Sequence, residues 1–302
     1  MAHVHHFTYG AFNPVAAFLL AFLGSFFGLL CTRRARDART RSRRNRWLAI
    51  AAFAIGGGAI WLMHFAAMLG FDVPDSPVRY SIPMTVLSFA FAVVTVGIGL
   101  LVVGNGRRSL PKVVASGLLT GIGVLAMHYS GMEGLHVAGV IHYNVMLVAA
   151  SGMIAIVACT VALWFAISVR GYGPTAVAAG IMAVAVCGMH YTGMAAMSVQ
   201  LRPVNQGDVK GLPPLAMIIP ITVLTAACVV GVALAALQAM TEEEFTDGAA
   251  LRVGGVHAEA ANIWSLKQAS MTANRRPPSG TRPSPRPVPM RSTSGGNGTV
   301  GS

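Results

Sequence analysis

Seven apolar stretches, each long enough to cross a lipid bilayer as a helix, dominate the sequence. They lie at roughly 12–31, 48–70, 84–103, 113–133, 145–169, 175–197 and 215–239. About 20 apolar residues, at 1.5 Å per residue, match a hydrocarbon core of ~30 Å. Only 11% of the residues are charged, whereas soluble domains carry about 25%. The sequence therefore predicts an all-α fold, a seven-helix transmembrane bundle.

Basic residues are concentrated in the loops on one side of this bundle. The loops after the first, third and fifth helices hold Arg33, Arg34, Arg36, Arg39, Arg41, Arg43, Arg44, Arg46, Arg107, Arg108, Lys112 and Arg170. The opposite loops hold Arg79, Arg202 and Lys210. The positive-inside rule then predicts a multi-pass plasma-membrane protein with its N-terminus outside and its C-terminus in the cytoplasm. The net charge of +12 comes largely from these loops and not from a basic surface of the kind that binds nucleic acid. The expected partner is therefore the lipid bilayer, and nucleic acid is not expected.

The helical region divides the chain into three predicted parts. They are an outer N-terminal tail at 1–11, a membrane domain at 12–240 and a cytoplasmic tail at 241–302. From about residue 274 the tail is rich in Pro, Arg, Ser and Gly, a composition typical of disorder. No catalytic output domain is recognised, so the chain is predicted not to be an enzyme. Within the membrane domain, Asn13 before Pro14 and Asn144 are predicted to cap helices.

A repeated motif occurs once in each of the second, fourth and sixth helices. The three passages are WLMHFAAM at 61–68, LAMHYSGM at 125–132 and CGMHYTGM at 187–194. All three enter the membrane in the same sense, so the chain is interpreted as three parallel two-helix repeats plus a seventh helix. Repeats of this kind can surround an axis along the membrane normal. Their histidines, His64, His128 and His190, are then expected to converge.

Each motif offers an imidazole and two thioethers at nearly equal depth, roughly 10 Å below the outer surface. One methionine follows the histidine by four residues, which is one helical turn, and another directly precedes it. Neutral imidazole and thioether are soft to borderline ligands that suit copper, in particular Cu(I). The predicted metal ligands are His64, His128, His190, Met63, Met68, Met127, Met132, Met189 and Met194.

Further polar residues are predicted on the outer half of the molecule, and their roles stay open at this point. They are Glu133 and the histidines His3, His5, His6, His136 and His142. The aromatic residue after each motif histidine, which is Phe65, Tyr129 or Tyr191, is expected to have a packing role. In the two tyrosines, the hydroxyl group could also support the site.

The tripled motif resembles the MHYT family of bacterial integral membrane sensor domains. It is complete as Met189-His190-Tyr191-Thr192 and degenerate at 127–130 and 63–66. The resemblance covers about residues 10–240 and includes motif, spacing and helix number. It implies a sensor that binds copper at the outer face and responds to a diatomic gas such as oxygen, CO or NO. Many relatives carry enzymatic output domains. Since none is recognised here, the signal is expected to leave through a separate signalling protein or by helix movement.

Helix packing is the competing interpretation of the motifs. Met is common in apolar helices, and a single intramembrane histidine usually hydrogen-bonds a neighbouring helix. Three histidines in matching register favour a ligand or metal site instead, because a polar residue at membrane depth is costly. A metal-handling transporter and a structural membrane partner without metal are the alternatives to the sensor.

Overall fold

The computed structural model describes residues 10–74, 76–107, 109–201 and 209–227, together with residues 230, 231 and 234. Within this part of the chain, six helices are long and apolar enough to cross a membrane. They are α1 (Phe12–Asp37), α2 (Arg41–Met68), α3 (Ile82–Gly104), α4 (Leu110–Glu133), α5 (Val145–Ser168) and α6 (Tyr172–Ala195). A shorter apolar helix, α7 (Pro214–Ala227), follows them. The all-α bundle of seven helices is confirmed, and the chain is a multi-pass membrane protein.

Some of the predicted segments extend beyond the described residues. The segment predicted at 215–239 is described as a continuous helix up to Ala227. The tail at 241–302, and residues 1–9 of the predicted N-terminal tail, lie outside the described part of the chain. The N-terminal histidines His3, His5 and His6 lie there too.

The first two helices are longer than the apolar pattern predicts. Helix α1 continues to Asp37, and α2 begins at Arg41, so most of the arginines predicted in a loop form the helix ends. Arginine is a good helix former, and its long side chain can reach water from the end of a membrane helix. The turn between the two helices is therefore short. The Thr40 side chain caps α2 by accepting a hydrogen bond of 3.2 Å from the Arg43 backbone N–H.

Of the two predicted caps, one is confirmed and one is wrong. The Asn144 side chain accepts hydrogen bonds from the backbone N–H groups of Met146 and Leu147. Asn13 caps nothing, because α1 already begins at Phe12. Its buried side-chain amide instead donates a 3.1 Å hydrogen bond to the carbonyl of Ala66 in the first motif. Because this hydrogen bond links α1 to α2, Asn13 is stabilised inside the first turn of α1 although asparagine prefers the capping position.

The six long helices close into a ring in sequence order. Each helix packs along the next one, and α6 packs against α1. The three motif helices α2, α4 and α6 meet near the end of the bundle at which they terminate, called the motif end here. Helices α1, α3 and α5 approach one another at the opposite, arginine-rich end, called the basic end. The helix pairs are therefore inclined so that each end of the bundle is closed by a different set of three helices.

A π-helical segment at Phe53–Trp61 interrupts α2 directly before its motif. It contains three consecutive glycines, and Gly56 lies so close to α3 that a Cβ atom there would stand 2.6 Å from the Ala92 carbonyl oxygen. Trp61 ends the segment and donates a hydrogen bond of 3.1 Å to the Ser88 hydroxyl on α3. Segments of this type often accompany functional sites, and this one directly adjoins the Met63-His64 motif of α2.

Two short antiparallel strand pairs cover the motif end. β1 (Arg79–Tyr80) pairs with β2 (Leu135–His136), and β3 (Gly139–Tyr143) pairs with β4 (Met197–Leu201). These strands and the turns around them are called the cap. Its inner side chains are apolar and buried, among them Tyr80, Leu135 and Val199. The Tyr80 hydroxyl also donates a hydrogen bond of 3.2 Å to the Met68 carbonyl at the end of α2, which ties the cap to the first motif.

Candidate metal centre

The three motif histidines converge at the axis of the helix ring. Nδ1 of His64 lies 3.0 Å from Nδ1 of His190 and 3.2 Å from Nδ1 of His128. One ring nitrogen from each histidine lies within 4.8 Å of those of the other two. The rings approach one another edge to face, with centroids 5.0–5.2 Å apart. Each histidine is at most 1% exposed, so the cluster is shielded from bulk water.

Hydrogen bonds among the three histidines cannot give every one of the converging Nδ1 atoms a partner. A neutral imidazole nitrogen carries either one proton or one lone pair. Nδ1 of His64 has two histidine neighbours, so it can form a good hydrogen bond with only one of them. A single cation between the three lone pairs would satisfy all three nitrogens at once.

The nitrogen separations also suit a common metal ion. Two ligand nitrogens at about 2.0–2.1 Å from one metal ion are roughly 3.3–3.6 Å apart at tetrahedral or trigonal angles. The two separations from His64, 3.0 and 3.2 Å, are shorter by a few tenths of an ångström, and the three ligand nitrogens together span up to 4.8 Å. Rotation of the imidazole side chains would be needed to bring the three separations into the ligating range. The three histidines therefore form a donor set that fits one metal ion.

The outer ring nitrogens face glycines of the following repeat. A Cβ atom at Gly131 would stand 2.5 Å from Nε2 of His64, and one at Gly193 would collide with Nε2 of His128. Neither Nε2 has a hydrogen-bond partner among the described residues, although metal-bound histidines ordinarily donate their second N–H. The two glycines lie three residues after His128 and His190, where the first motif has Ala67. Sequence reasoning missed their role, and the shared spacing is the signal that could have revealed it.

All six motif methionines are buried, with at most 4% of any side chain exposed. Met68, Met132 and Met194 lie one turn beyond the histidines, toward the cap, which is about 6 Å along each helix. Met63 and Met127 directly precede their histidines in the core. Met189 also lines an internal cavity on the side of the basic end. All three motif helices thus carry buried methionines next to the histidine and one turn beyond it.

The aromatic residue after each motif histidine packs on that histidine. Phe65, Tyr129 and Tyr191 contact their neighbouring imidazole rings edge to face, with centroids 4.8–5.0 Å apart. The Tyr129 hydroxyl also lies 3.1 Å from the Ser151 hydroxyl on α5. The expected packing role therefore includes holding the imidazole rings in place.

The other candidate residues within the described chain lie away from the cluster. Glu133 and His136 are exposed and border a groove of about 630 Å³ at the surface of the cap. Nδ1 of His136 lies 2.8 Å from the Lys210 carbonyl oxygen, and His142 is exposed on β3. Burial, followed by the negative charge of Glu133, raises the pKa of Tyr143 in the cap to about 12. These groups shape the surface above the cluster without joining it.

Three consecutive segments of the chain match the sequence model of one family, described as a bacterial signalling protein N-terminal repeat. The segments are 57–116, 121–179 and 184–252, together more than half of the chain. The chain belongs to the MHYT family. Each matched segment begins in a motif helix, so one MHYT repeat is a motif helix with the helix that follows it. Helix α1 precedes the first repeat, so the helix outside the three pairs is the first helix rather than the seventh.

Curated relatives of this MHYT protein include two cyclic di-GMP enzymes of Pseudomonas aeruginosa. The bifunctional diguanylate cyclase/cyclic di-GMP phosphodiesterase MucR is 34% identical over 74% of this chain. The cyclic di-GMP phosphodiesterase NbdA is 33% identical over 63% of this chain. The chain spans about a third of MucR and a quarter of NbdA, at 34% and 24% of their lengths. No solved structure matches the chain.

Proposed function

We propose that this MHYT membrane domain is a sensor that holds a copper ion between His64, His128 and His190, near the outer face of the membrane. The observation that carries the proposal is the meeting of three Nδ1 atoms, one from each repeat, inside a buried core. The buried methionines of the three motifs favour copper over zinc, because soft ligands select Cu(I). A copper ion held by these three imidazoles would supply the chemistry for binding a small gaseous ligand such as oxygen, CO or NO.

Residues of the protein can link ligand binding at such a site to a movement of the helices. The three histidines lie on three different helices, so any change in their spacing moves α2, α4 and α6 relative to one another. The cap and the apolar core exclude water from the site. The helices paired with α2, α4 and α6 contact one another at the basic end, so we expect movement at the motif end to change those contacts. Coupling of this kind requires two arrangements of the bundle with similar free energies.

The orientation and the downstream partner belong to the same proposal. The excess of arginine at one end supports a cytoplasmic basic end and an outer motif end. The names of MucR and NbdA associate related chains with cyclic di-GMP turnover. We therefore propose that the signal leaves at the cytoplasmic end and controls a signalling enzyme of that kind.

A transporter would need polar groups between the cluster and the basic end. The internal cavity in that direction is lined by apolar side chains, apart from Ser25, Thr120 and Cys159. Within the described part of the chain, no charged residue lines it, which favours a sensor over a pathway for ions.

Copper analysis of the detergent-purified chain tests the proposal. After anaerobic loading with Cu(I) and removal of excess metal, the wild type should retain one copper ion per chain. Replacement of His64, His128 and His190 by alanine should remove it. The matched control replaces the exposed histidines His136 and His142 by alanine and should leave copper content unchanged. Equal copper in the wild type and the three-histidine variant would overturn the proposal and leave helix packing as the role of the motifs.

Two further measurements test the ligand set and the gas. Replacing Met68, Met132 and Met194 by leucine nearly conserves core volume, so a loss of copper affinity in that variant reports on the thioethers themselves. Carbon monoxide added to the Cu(I) form should give an infrared band for bound CO that the three-histidine variant lacks. A copper-loaded wild type without this band would contradict the gas proposal.

A further inference from the structure

An apolar cavity of about 50 Å³ lies inside the helix ring, next to the histidine cluster. It begins at Met189, beside His190, and continues toward the basic end as far as Leu163. Ile60 and Val124, each four residues before a motif histidine, line it from α2 and α4. Cavities with apolar walls stay dry and admit small apolar molecules such as xenon. The space next to the cluster is therefore suited to an apolar molecule rather than to water.

A second apolar space lies on the outside of the ring, between α5 and α6. This groove has a volume of about 340 Å³ and is lined by Met153, Val157 and Ile181, among other apolar residues. These three side chains are 48–63% exposed and point toward the bilayer. The groove lies about 13 residues, or ~20 Å, along each helix from the motif end, which is deep in the hydrocarbon region.

Two residues, Ala158 and Met182, line both the groove and the internal cavity. Met182 is only 8% exposed, so its side chain separates the two spaces. Methionine has three rotatable bonds and adapts its shape easily, whereas the Ala158 side chain is too short to block the space between the two. A change of the Met182 rotamer would therefore connect the bilayer to the cavity.

We infer that a small apolar molecule dissolved in the bilayer reaches the histidine cluster from the side, through the α5–α6 groove and past Met182. The cap closes the direct path from the motif end, and each histidine is at most 1% exposed. An apolar solute also leaves water for hydrocarbon spontaneously, which concentrates it beside the groove. This route deepens the proposed function, on which its biological meaning rests, because it supplies a gas to the copper site without admitting water.

Xenon is a suitable probe, since its binding needs the cavity and no copper. The test uses the full chain in lipid nanodiscs and follows xenon exchange by ¹²⁹Xe NMR. Ala158→Phe should slow exchange roughly tenfold or more, the effect of ~1.4 kcal/mol added to the barrier. Met182→Ala should accelerate exchange, because it opens the same passage. Opposite effects of these two substitutions cannot arise from a general loss of folding.

The matched control is Val184→Phe, a lipid-exposed position on α6 that lines neither space. It should leave exchange at the wild-type rate. The absence of xenon binding to the wild type, or unchanged exchange in both Ala158→Phe and Met182→Ala, would overturn the inference.

Copper content separates this inference from the proposed function. The three-histidine variant should lose copper and still bind xenon, whereas Ala158→Phe should keep copper and exchange xenon slowly. If the wild type binds xenon but no copper, the copper proposal is wrong and the lateral cavity stands. If it binds copper but no xenon, the reverse holds.

Discussion

The Nε2 atom of His64 lies against Gly131 of the next repeat, so closely that a Cβ atom added to Gly131 would stand 2.5 Å from it. His128 and Gly193 repeat the same relationship one repeat further along the chain. Each of these imidazole rings therefore occupies the space that a side chain of the next motif helix would fill. The glycines let three helices approach closely enough for the histidines to meet.

Substituting Gly131 or Gly193 by alanine should displace the histidine that faces it. Overpacking of a filled core costs about 1–3 kcal/mol, so we expect lower thermal stability and weaker copper binding in both variants. Thermal unfolding in detergent and copper titration measure the two effects.

Gly188→Ala is the control for these substitutions. It lies on α6 within the third motif, and a Cβ atom there meets no atom within 4 Å. This variant should be neutral or slightly stabilised, since alanine is favoured over glycine inside a helix by about 0.5–1 kcal/mol. Equal behaviour of Gly188→Ala and Gly131→Ala would mean that contact with the imidazole has no consequence.

The convergence of the histidines could be predicted from the sequence, because His64, His128 and His190 are evenly spaced and their helices run in the same direction. Periodic placement on parallel repeats leaves few arrangements other than a common axis. The seven helices were equally predictable, because a long apolar segment is stable in lipid and not in water. These features depend on local composition and on spacing along the chain.

Other features depend on contacts between distant segments and were missed. The strands of the cap are two to five residues long, too short for an alternating pattern to be recognised. Asn13 has the preferences of a helix cap, but a hydrogen bond to Ala66 on another helix decides its position. The cavity beside Met189 results from the volumes of side chains on six helices, which no single segment encodes.

Arg36 should stabilise the basic end of the bundle without affecting the metal centre. Its guanidinium group donates to the carbonyls of Ala166 and Val169 at the C-terminal end of α5, where a positive charge is also favoured by the helix dipole. Hydrogen bonds from charged groups contribute about 1.5–3 kcal/mol. Arg36→Ala should therefore unfold at a lower temperature, while its copper content per chain stays at the wild-type value.

Arg39→Ala provides the comparison for Arg36→Ala, because it removes an equal charge from an exposed position in the adjacent turn. It should unfold at the wild-type temperature. Similar losses in both variants would assign the effect to net charge rather than to the contacts with α5.

Copper should stabilise the folded chain through the three histidines. A ligand that binds only the folded state at 100 times its dissociation constant adds ~2.7 kcal/mol, so the wild type should melt at a higher temperature with Cu(I) than after chelation. The three-histidine variant should melt at one temperature under both conditions. A copper-dependent shift that persists in this variant would place the binding site elsewhere in the chain.

The proposed orientation can be tested by labelling single cysteines introduced at the two ends of the bundle. His142 is exposed on β3 at the motif end, and Arg39 is exposed in the turn at the basic end. In a background without the four native cysteines, His142→Cys should react with a membrane-impermeant maleimide in intact spheroplasts. Arg39→Cys should react only after lysis, because arginine-rich loops are retained in the cytoplasm. The opposite pattern would place the histidine cluster near the cytoplasmic face and would contradict the proposed orientation.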